Sequence, residues 1–217
     1  MRNVGLLIDG LPDGTLECLH IGGGAFTLAR YLAHARPGSR QVAFEPDGEL
    51  VEVVRERFGL AGIPRLRVLV CDGRTGLREW TGDAFDLVVL DAYAGRTIPP
   101  ELTTAEFAAD VARMLHAHGS FVANIVDGPG LTFAQGMVAS VREVLPHMLL
   151  LADQSVLGGR VRGHIVLAAT VSAGSIEAMA AHVARQGFPR LLCLHGPQVE
   201  TFRGGAEPLH DVSGGRI

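Results

Sequence analysis

The fold is indicated by the stretch Leu19–Tyr31, which reads LHIGGGAFTLARY. A short apolar run stops at Gly22, Gly23 and Gly24, and a helical pattern starts just beyond them. This arrangement is typical of a strand that feeds a helix through a tight turn, because glycine accepts positive φ and lets a ligand lie against the backbone. The unpaired first amides of the helix face such a turn, where a nucleoside-type ligand usually binds. Taken alone, the glycines also fit an ordinary strand-to-helix turn.

An acid after the next apolar run strengthens the ligand hypothesis. Arg40–Phe44 predicts a second strand that ends at Glu45, which lies 21 residues after Gly24. A carboxylate at the tip of the second strand, at about this distance, accepts hydrogen bonds from ribose hydroxyls. Thr27 stands where the full dinucleotide fingerprint has its third spaced glycine. Turn and acid together therefore favour an adenosine-containing ligand.

The rest of the chain alternates between apolar runs and helical spacing. The further predicted strands are Leu66–Cys71, Phe85–Leu90, Ser120–Val126, Met148–Ala152 and Gly163–Thr170. Repeated alternation of strand and helix predicts an α/β fold with a doubly wound, Rossmann-like sheet and helices on both faces. We expect three segments: an N-terminal strand or arm (1–16), the Rossmann-like domain (17–190) and an irregular C-terminal tail (191–217).

Composition narrows the classes of function. The chain has 217 residues, long enough for one α/β domain, and its net charge of -4 predicts neither nucleic-acid nor membrane binding. It contains no lysine, which excludes Schiff-base and P-loop lysine chemistry. Its 3 cysteines are widely separated, and no apolar run reaches membrane-spanning length. We expect a reduced, cytoplasmic protein without a metal, since no Cys/His cluster has metal-ligand spacing.

Acids follow four of the predicted strands: Glu45, Asp72, Asp91 and Asp127. Ligands of open α/β sheets bind outside the carboxyl ends of the strands, so we expect these acids to converge on the glycine turn. Aspartate is also common at strand ends as a turn former or helix N-cap. Asp91 is the candidate for chemistry, because a carboxylate buried beside a ligand can deprotonate an attacking amine. Tyr93 would present its ring and hydroxyl at the same rim, for packing or for substrate contact.

Four motifs and their order carry a resemblance to a known family. They are His20–Gly24 (HIGGG), Phe44–Asp47 (FEPD), Val70–Gly73 (VCDG) and Val89–Tyr93 (VLDAY). In this order they resemble the class I S-adenosylmethionine-dependent methyltransferases. More closely, they resemble the spermidine synthase (polyamine aminopropyltransferase) family and its bacterial spermidine synthase-like relatives. The resemblance covers roughly residues 16–170, and 202–209 also resembles the ends of those relatives.

The resemblance implies S-adenosylmethionine or its decarboxylated form as the ligand, and a seventh strand, at about Gly163–Thr170, antiparallel to the others. The implied ligand-binding residues are Gly22, Gly23, Gly24, Glu45, Pro46, Asp72, Gly73, Asp91 and Ala92. Glu45 would bind the ribose hydroxyls, Asp72 would face the adenine amino group, and Asp91 would accept the proton of the attacking nucleophile. Tyr93 would contact the substrate.

Three departures from the aminopropyltransferases argue against spermidine synthesis. Ala25 replaces the aspartate that holds the amino group of decarboxylated S-adenosylmethionine. The polyamine-covering loop reads AGRTIPP over Ala94–Pro100, and only about sixteen residues precede the first core strand. Loss of carboxylates removes what a polycationic substrate needs. The sequence therefore favours methyl transfer to a small-molecule acceptor.

Several other interpretations stay open. The protein is alternatively an aminopropyltransferase, or a non-catalytic nucleoside-binding or partner-binding domain. A nicotinamide-dependent oxidoreductase fits less well, because the glycine spacing is imperfect and Asp72–Gly73 is unexplained. The N-terminal arm and the glycine-rich tail are candidate elements for assembly into a homodimer.

Overall fold

A computed structural model describes residues 2–212 of the chain. Its strands are β1 (Glu17–Ile21), β2 (Arg40–Phe44), β3 (Leu66–Leu69), β4 (Phe85–Leu90), β5 (Leu115–Asp127), β6 (His147–Asp153), β7 (Gly163–Thr170) and β8 (Leu191–His195). Its α-helices are α1 (Arg2–Asp9), α2 (Thr27–Ala35), α3 (Gly48–Arg57), α4 (Gly73–Glu79), α5 (Ala105–Met114), α6 (Thr132–Arg142), α7 (Gln154–Leu157), α8 (Ala173–Arg185) and α9 (Pro197–Arg203).

The strands form one twisted sheet in the order β3-β2-β1-β4-β5-β7-β6-β8. Strand β1 pairs in parallel with β2 on one side and with β4 on the other, so the chain order reverses at β1. Ligands of doubly wound sheets bind at this switch point, and the glycine turn directly follows β1. The prediction of a mostly parallel, Rossmann-like sheet is confirmed. Strand β7 is antiparallel to both neighbours, as expected, and β8 adds a second antiparallel strand.

Helices cover both faces because the central strands are apolar on both sides. On β4, Leu87 and Val89 pack into the same cluster as the N-terminal residues, while Val88 and Leu90 pack into the larger cluster on the opposite face. This alternation follows from the two-residue period of a strand. A continuous apolar run is therefore buried on both faces, as parallel sheets require.

The N-terminal segment is a helix, and the prediction of a strand or arm is wrong. Val4, Leu7, Ile8 and Leu11 follow the spacing of a helix rather than the alternation of a strand. They are buried, and they belong to the same apolar cluster as Met179 of α8. Helix α1 is thus part of the layer that covers the sheet.

The C-terminal segment is also more regular than predicted. The short apolar run at Leu191–His195 pairs with β6 as the edge strand β8, and α9 follows it. Beyond α9, the Asp211 carboxylate accepts hydrogen bonds from Arg74 and from the Thr104 hydroxyl, so the segment is fixed on α4 and α5. The predicted irregular tail is therefore wrong over residues 191–203, and residues 213–217 lie outside the described range.

Two smaller findings complete the fold. Helix α5 ends at Met114, and His116 and His118 lie on β5, which begins at the next residue. None of the helices within residues 2–212 combines the length and the apolar character needed to span a bilayer.

Candidate active site

The carboxyl ends of β1, β2 and β4 open into a cavity of about 570 Å³. A smaller cavity of about 160 Å³ shares part of the glycine turn. The predicted site residues that line the larger cavity are Gly22, Gly24, Glu45, Pro46, Asp72, Gly73, Asp91, Ala92 and Tyr93. Gly23 lines the smaller one. The structure therefore brings together residues that are up to seventy positions apart along the chain.

The three glycines of the turn are required for different reasons. A Cβ on Gly22, which has φ +96°, would lie 2.6 Å from the carbonyl oxygen of Asp91. A Cβ on Gly23 would lie 2.6 Å from the Phe26 ring. Gly24 has φ +50°, and a Cβ there would meet no atom within 4 Å. Packing within the protein thus requires the first two glycines, whereas the backbone at Gly24 lies open for a ligand to approach.

Glu45 joins the second strand to the glycine turn. Its Oε2 accepts hydrogen bonds from the amides of Gly23 at 2.8 Å and Gly24 at 3.1 Å, and its Oε1 accepts one from Asp47 at 3.0 Å. The side chain is 7% exposed. The amides of Gly23 and Gly24, expected to be open to a ligand, are therefore paired with this carboxylate.

Asp72 combines a structural role with a place in the cavity wall. It is the N-cap of α4, and its Oδ1 accepts a hydrogen bond from the Thr75 amide at 2.9 Å. Hydrogen bonds from Thr75 lower the pKa of Asp72, because they stabilise the ionised form. Gly73 packs closely beside it, since a Cβ there would lie 2.4 Å from a methyl carbon of Ile21. The Asp72 carboxylate therefore holds the start of α4, and the residue also lines the cavity.

Asp91 is oriented by a buried amide. Its Oδ1 accepts a hydrogen bond of 2.8 Å from Nδ2 of Asn124, which is 4% exposed. The Tyr93 hydroxyl donates a 2.6 Å hydrogen bond to the main-chain carbonyl oxygen of Asn124. Burial, and secondarily the charge of Asp91, raise the pKa of Tyr93, so its phenol is neutral. Asn124 therefore contacts both residues that follow β4.

Sequence reasoning missed Asn124 and its second partner, His164. Asn124 is a polar residue within the apolar run of β5, and this is the signal that would have revealed it. Its Oδ1 lies 3.0 Å from Nδ1 of His164, an exposed residue near the start of β7. His164 is one of 9 histidines, and the sequence does not distinguish it from the others.

Two further polar residues lie apart from the larger cavity. Asp127 accepts hydrogen bonds from the amides of Gly128 at 2.7 Å and Ala134 at 2.8 Å, so it holds the turn before α6. The expectation that all four strand-end acids converge is therefore wrong for Asp127. His20 is a buried core residue whose Nε2 lies 2.8 Å from Gln41 Oε1. Burial lowers the pKa of His20 to about 4, so the ring is neutral.

Comparison with known proteins adds independent information. No protein-family model matches the chain. It is 30% identical over 126 residues to a polyamine aminopropyltransferase of Vibrio vulnificus, covering 57% of this chain and 41% of that protein. It is 28% identical over 125 residues to an eEF1A lysine and N-terminal methyltransferase of Xenopus laevis, covering 54% of this chain and 18% of that protein. The chain thus spans less than half the length of these relatives.

A solved structure matches over a much larger share. A probable spermidine synthase of Corynebacterium glutamicum superposes with a TM-score of 0.86 and 29% identity, covering 99% of this chain and 82% of that one. Together with the glycine turn at the switch point and the acid after β2, this superposition places the fold among the class I S-adenosylmethionine-dependent methyltransferases. The sequence relatives and the extent of this superposition show a more specific similarity. In sequence and in fold the chain resembles the spermidine synthases and polyamine aminopropyltransferases within that superfamily.

Proposed function

We propose that the protein is a transferase that binds S-adenosylmethionine in the larger cavity and transfers its methyl group to a small-molecule nucleophile. One observation carries the proposal: Asp91, oriented by buried Asn124, lines the same cavity as Glu45 and the open backbone at Gly24. The sulfonium of the ligand supplies an electrophilic carbon. The protein then has to align the nucleophile and accept one proton.

The residues present fit an adenosyl ligand. A carboxylate has about four acceptor positions, and three of those on Glu45 are taken by amides, which leaves one for a ribose hydroxyl. The Asp72 carboxylate at the cavity wall suits the adenine amino group, which is a hydrogen-bond donor. The open backbone at Gly24 lets the methionine part lie against the turn. A cavity of about 570 Å³ has the size range of small-molecule sites.

Asp91 supplies the proton acceptor. Donation from Asn124 to Oδ1 fixes the plane of the carboxylate, which lines the cavity in which the nucleophile would lie. An ionised carboxylate next to the nucleophile both orients it and takes its proton as the new bond forms. Tyr93 remains neutral, so its ring serves as a wall of the cavity and its hydroxyl supports the Asn124 main chain.

The residue after the glycine turn supports methyl transfer over transfer to a polyamine. Ala25 lies beside the turn, where the resemblance places a carboxylate. The loop Ala94–Pro100 contributes Ala94 and Pro99 to the cavity and contains the exposed Arg96, whose carbonyl oxygen accepts a 3.2 Å hydrogen bond from Arg162. The cavity wall itself includes the carboxylates of Asp91 and Glu101, so the support for methyl transfer comes from Ala25 and not from the charge of the wall.

Aminopropyl transfer is the second candidate, and the names of the relatives favour it. Calorimetric titration with S-adenosylmethionine, its decarboxylated form and NAD separates the hypotheses. We expect binding of S-adenosylmethionine and of S-adenosylhomocysteine. Tight binding of the decarboxylated form alone would favour aminopropyl transfer over methyl transfer. Binding of NAD alone would indicate an oxidoreductase. Binding of S-adenosylmethionine without any transfer would indicate a non-catalytic domain.

Transfer itself is measured with S-adenosylmethionine labelled in the methyl group and a panel of small amines, thiols, hydroxyls and carboxylates. The variant Asp91→Asn should bind S-adenosylmethionine normally and lose transfer. Asp83→Asn is the matched control, because Asp83 is exposed just before the amino end of β4, at the opposite edge of the sheet. Full transfer activity in Asp91→Asn would show that Asp91 is not the proton acceptor.

A further inference from the structure

The side chain of Asn124 bridges two titratable groups. Nδ2 lies 2.8 Å from Asp91 Oδ1, and Oδ1 lies 3.0 Å from His164 Nδ1. Asn124 is 4% exposed and lies near the carboxyl end of β5, the strand between β4 and β7, whereas His164 is exposed near the start of β7. The chain Asp91–Asn124–His164 therefore links the floor of the cavity to the protein surface.

The chemistry of the three groups fixes the orientation of the amide. An ionised carboxylate only accepts hydrogen bonds, so the NH₂ group of Asn124 must face Asp91. Its carbonyl oxygen then faces His164 and needs a donor there. His164 must consequently carry a proton on Nδ1, which leaves Nε2 as the unprotonated nitrogen when the ring is neutral.

We propose that His164 is a positioning residue for Asp91, acting through Asn124. The Nδ1–H group holds the amide with its NH₂ toward Asp91, which keeps one carboxylate oxygen occupied and the other free for the proton of the nucleophile. The importance of this arrangement for transfer rests on the proposed function. The hydrogen-bond chain itself is a property of the protein alone.

The hydrogen-bond chain from Asp91 through Asn124 to His164 predicts that the tautomer of His164 depends on Asp91. In the wild-type protein at alkaline pH, long-range ¹H–¹⁵N spectra should show His164 protonated on Nδ1. In Asp91→Ala the carboxylate that orients the amide is gone, and in Asn124→Ala the acceptor is gone. Both variants should return His164 to Nε2 protonation, while His118, exposed at the opposite rim, keeps its tautomer in each.

The reverse coupling is measured on the amide. His164→Ala should accelerate hydrogen exchange of the Asn124 NH₂ group by about tenfold, the loss expected from removing one fixed partner worth about 1.4 kcal/mol. His164→Asn should restore slow exchange, because the Asn amide nitrogen lies at the same distance from Cβ as Nδ1. His164→Gln should not, and His118→Ala is the control. Nε2 protonation in the wild type, or equal exchange in all variants, would overturn the proposal.

Calorimetry with S-adenosylmethionine on the same samples separates this inference from the proposed function. Failure of the wild type to bind S-adenosylmethionine while the tautomer coupling is present would refute the proposed function and, with it, the role of His164 in transfer. Normal binding without the coupling would refute the role of His164 only.

Discussion

The substitution Glu45→Gln tests the strongest polar link of the site. Glu45 accepts three main-chain hydrogen bonds, two from the glycine turn and one from Asp47. Glutamine keeps one acceptor oxygen and replaces the other by a donor, so one set of amides must face an NH₂ group. Losing one bond to a charged acceptor costs about 2 kcal/mol. Conversion of the retained bonds to neutral ones brings the expected loss of unfolding free energy to about 3 kcal/mol.

The assay is urea denaturation at neutral pH, followed by circular dichroism. Glu56→Gln is the control, because Glu56 is exposed on α3 and should change stability by less than about 0.5 kcal/mol. A second measurement addresses the ligand: with one acceptor position left for the ribose, S-adenosylmethionine should bind about tenfold more weakly to Glu45→Gln. Stability of Glu45→Gln within about 0.5 kcal/mol of wild type would refute the reasoning, because the three bonds would then contribute nothing.

Three further predictions, which use four substitutions, are measured by the same denaturation assay. Burial lowers the pKa of His20 to about 4, so the unfolded chain takes up more protons below neutral pH. The wild type should lose about 2 kcal/mol between pH 7 and pH 5, and His20→Gln should lack this loss. Gly73→Ala should cost 1–3 kcal/mol (roughly), because its Cβ would lie 2.4 Å from Ile21, whereas Gly174→Ala, with open space in α8, should gain about 0.5 kcal/mol. Arg74→Met should cost about 2 kcal/mol, because Asp110 and Asp211, at 2.8 and 2.9 Å, each lose one of their partners, while Arg113 still pairs with Asp110. The first prediction would be contradicted by a free energy of unfolding that stays constant between pH 7 and pH 5. Equal stability of the two glycine variants would contradict the second, and wild-type stability of Arg74→Met would contradict the third.

The central part of the fold could be predicted because local and global signals agree there. The run Phe85–Leu90 is apolar at nearly every position, and a strand buried on both faces requires this. The glycine turn and the acid after β2 mark the switch point by their spacing. The site residues of these segments follow from a general rule, since parallel strands present their carboxyl ends at one edge.

The ends of the chain could not be predicted in the same way. The short apolar run near the N-terminus suits a strand by composition, and the prediction did not use the helical spacing of the residues that pack against α8. Strand β8 is five residues long and partly exposed, so its pairing with β6 depends on a long-range contact that no local pattern shows. His164 was missed for a similar reason: its partner Asn124 is forty positions away along the chain.

The three glycines of the turn are required for different reasons, and this affects how the same turn should be interpreted in similar proteins. Gly22 and Gly23 are constrained by the neighbouring backbone and by an aromatic ring, so a descendant that had lost its ligand would still retain them. Gly24 has no such neighbour, but its φ of +50° still favours glycine, so only the demand for open space would relax once the ligand was lost. The empty space beside Gly24 is therefore the feature of the turn that depends on a ligand, whereas the first two glycines are required by the packing of the protein itself.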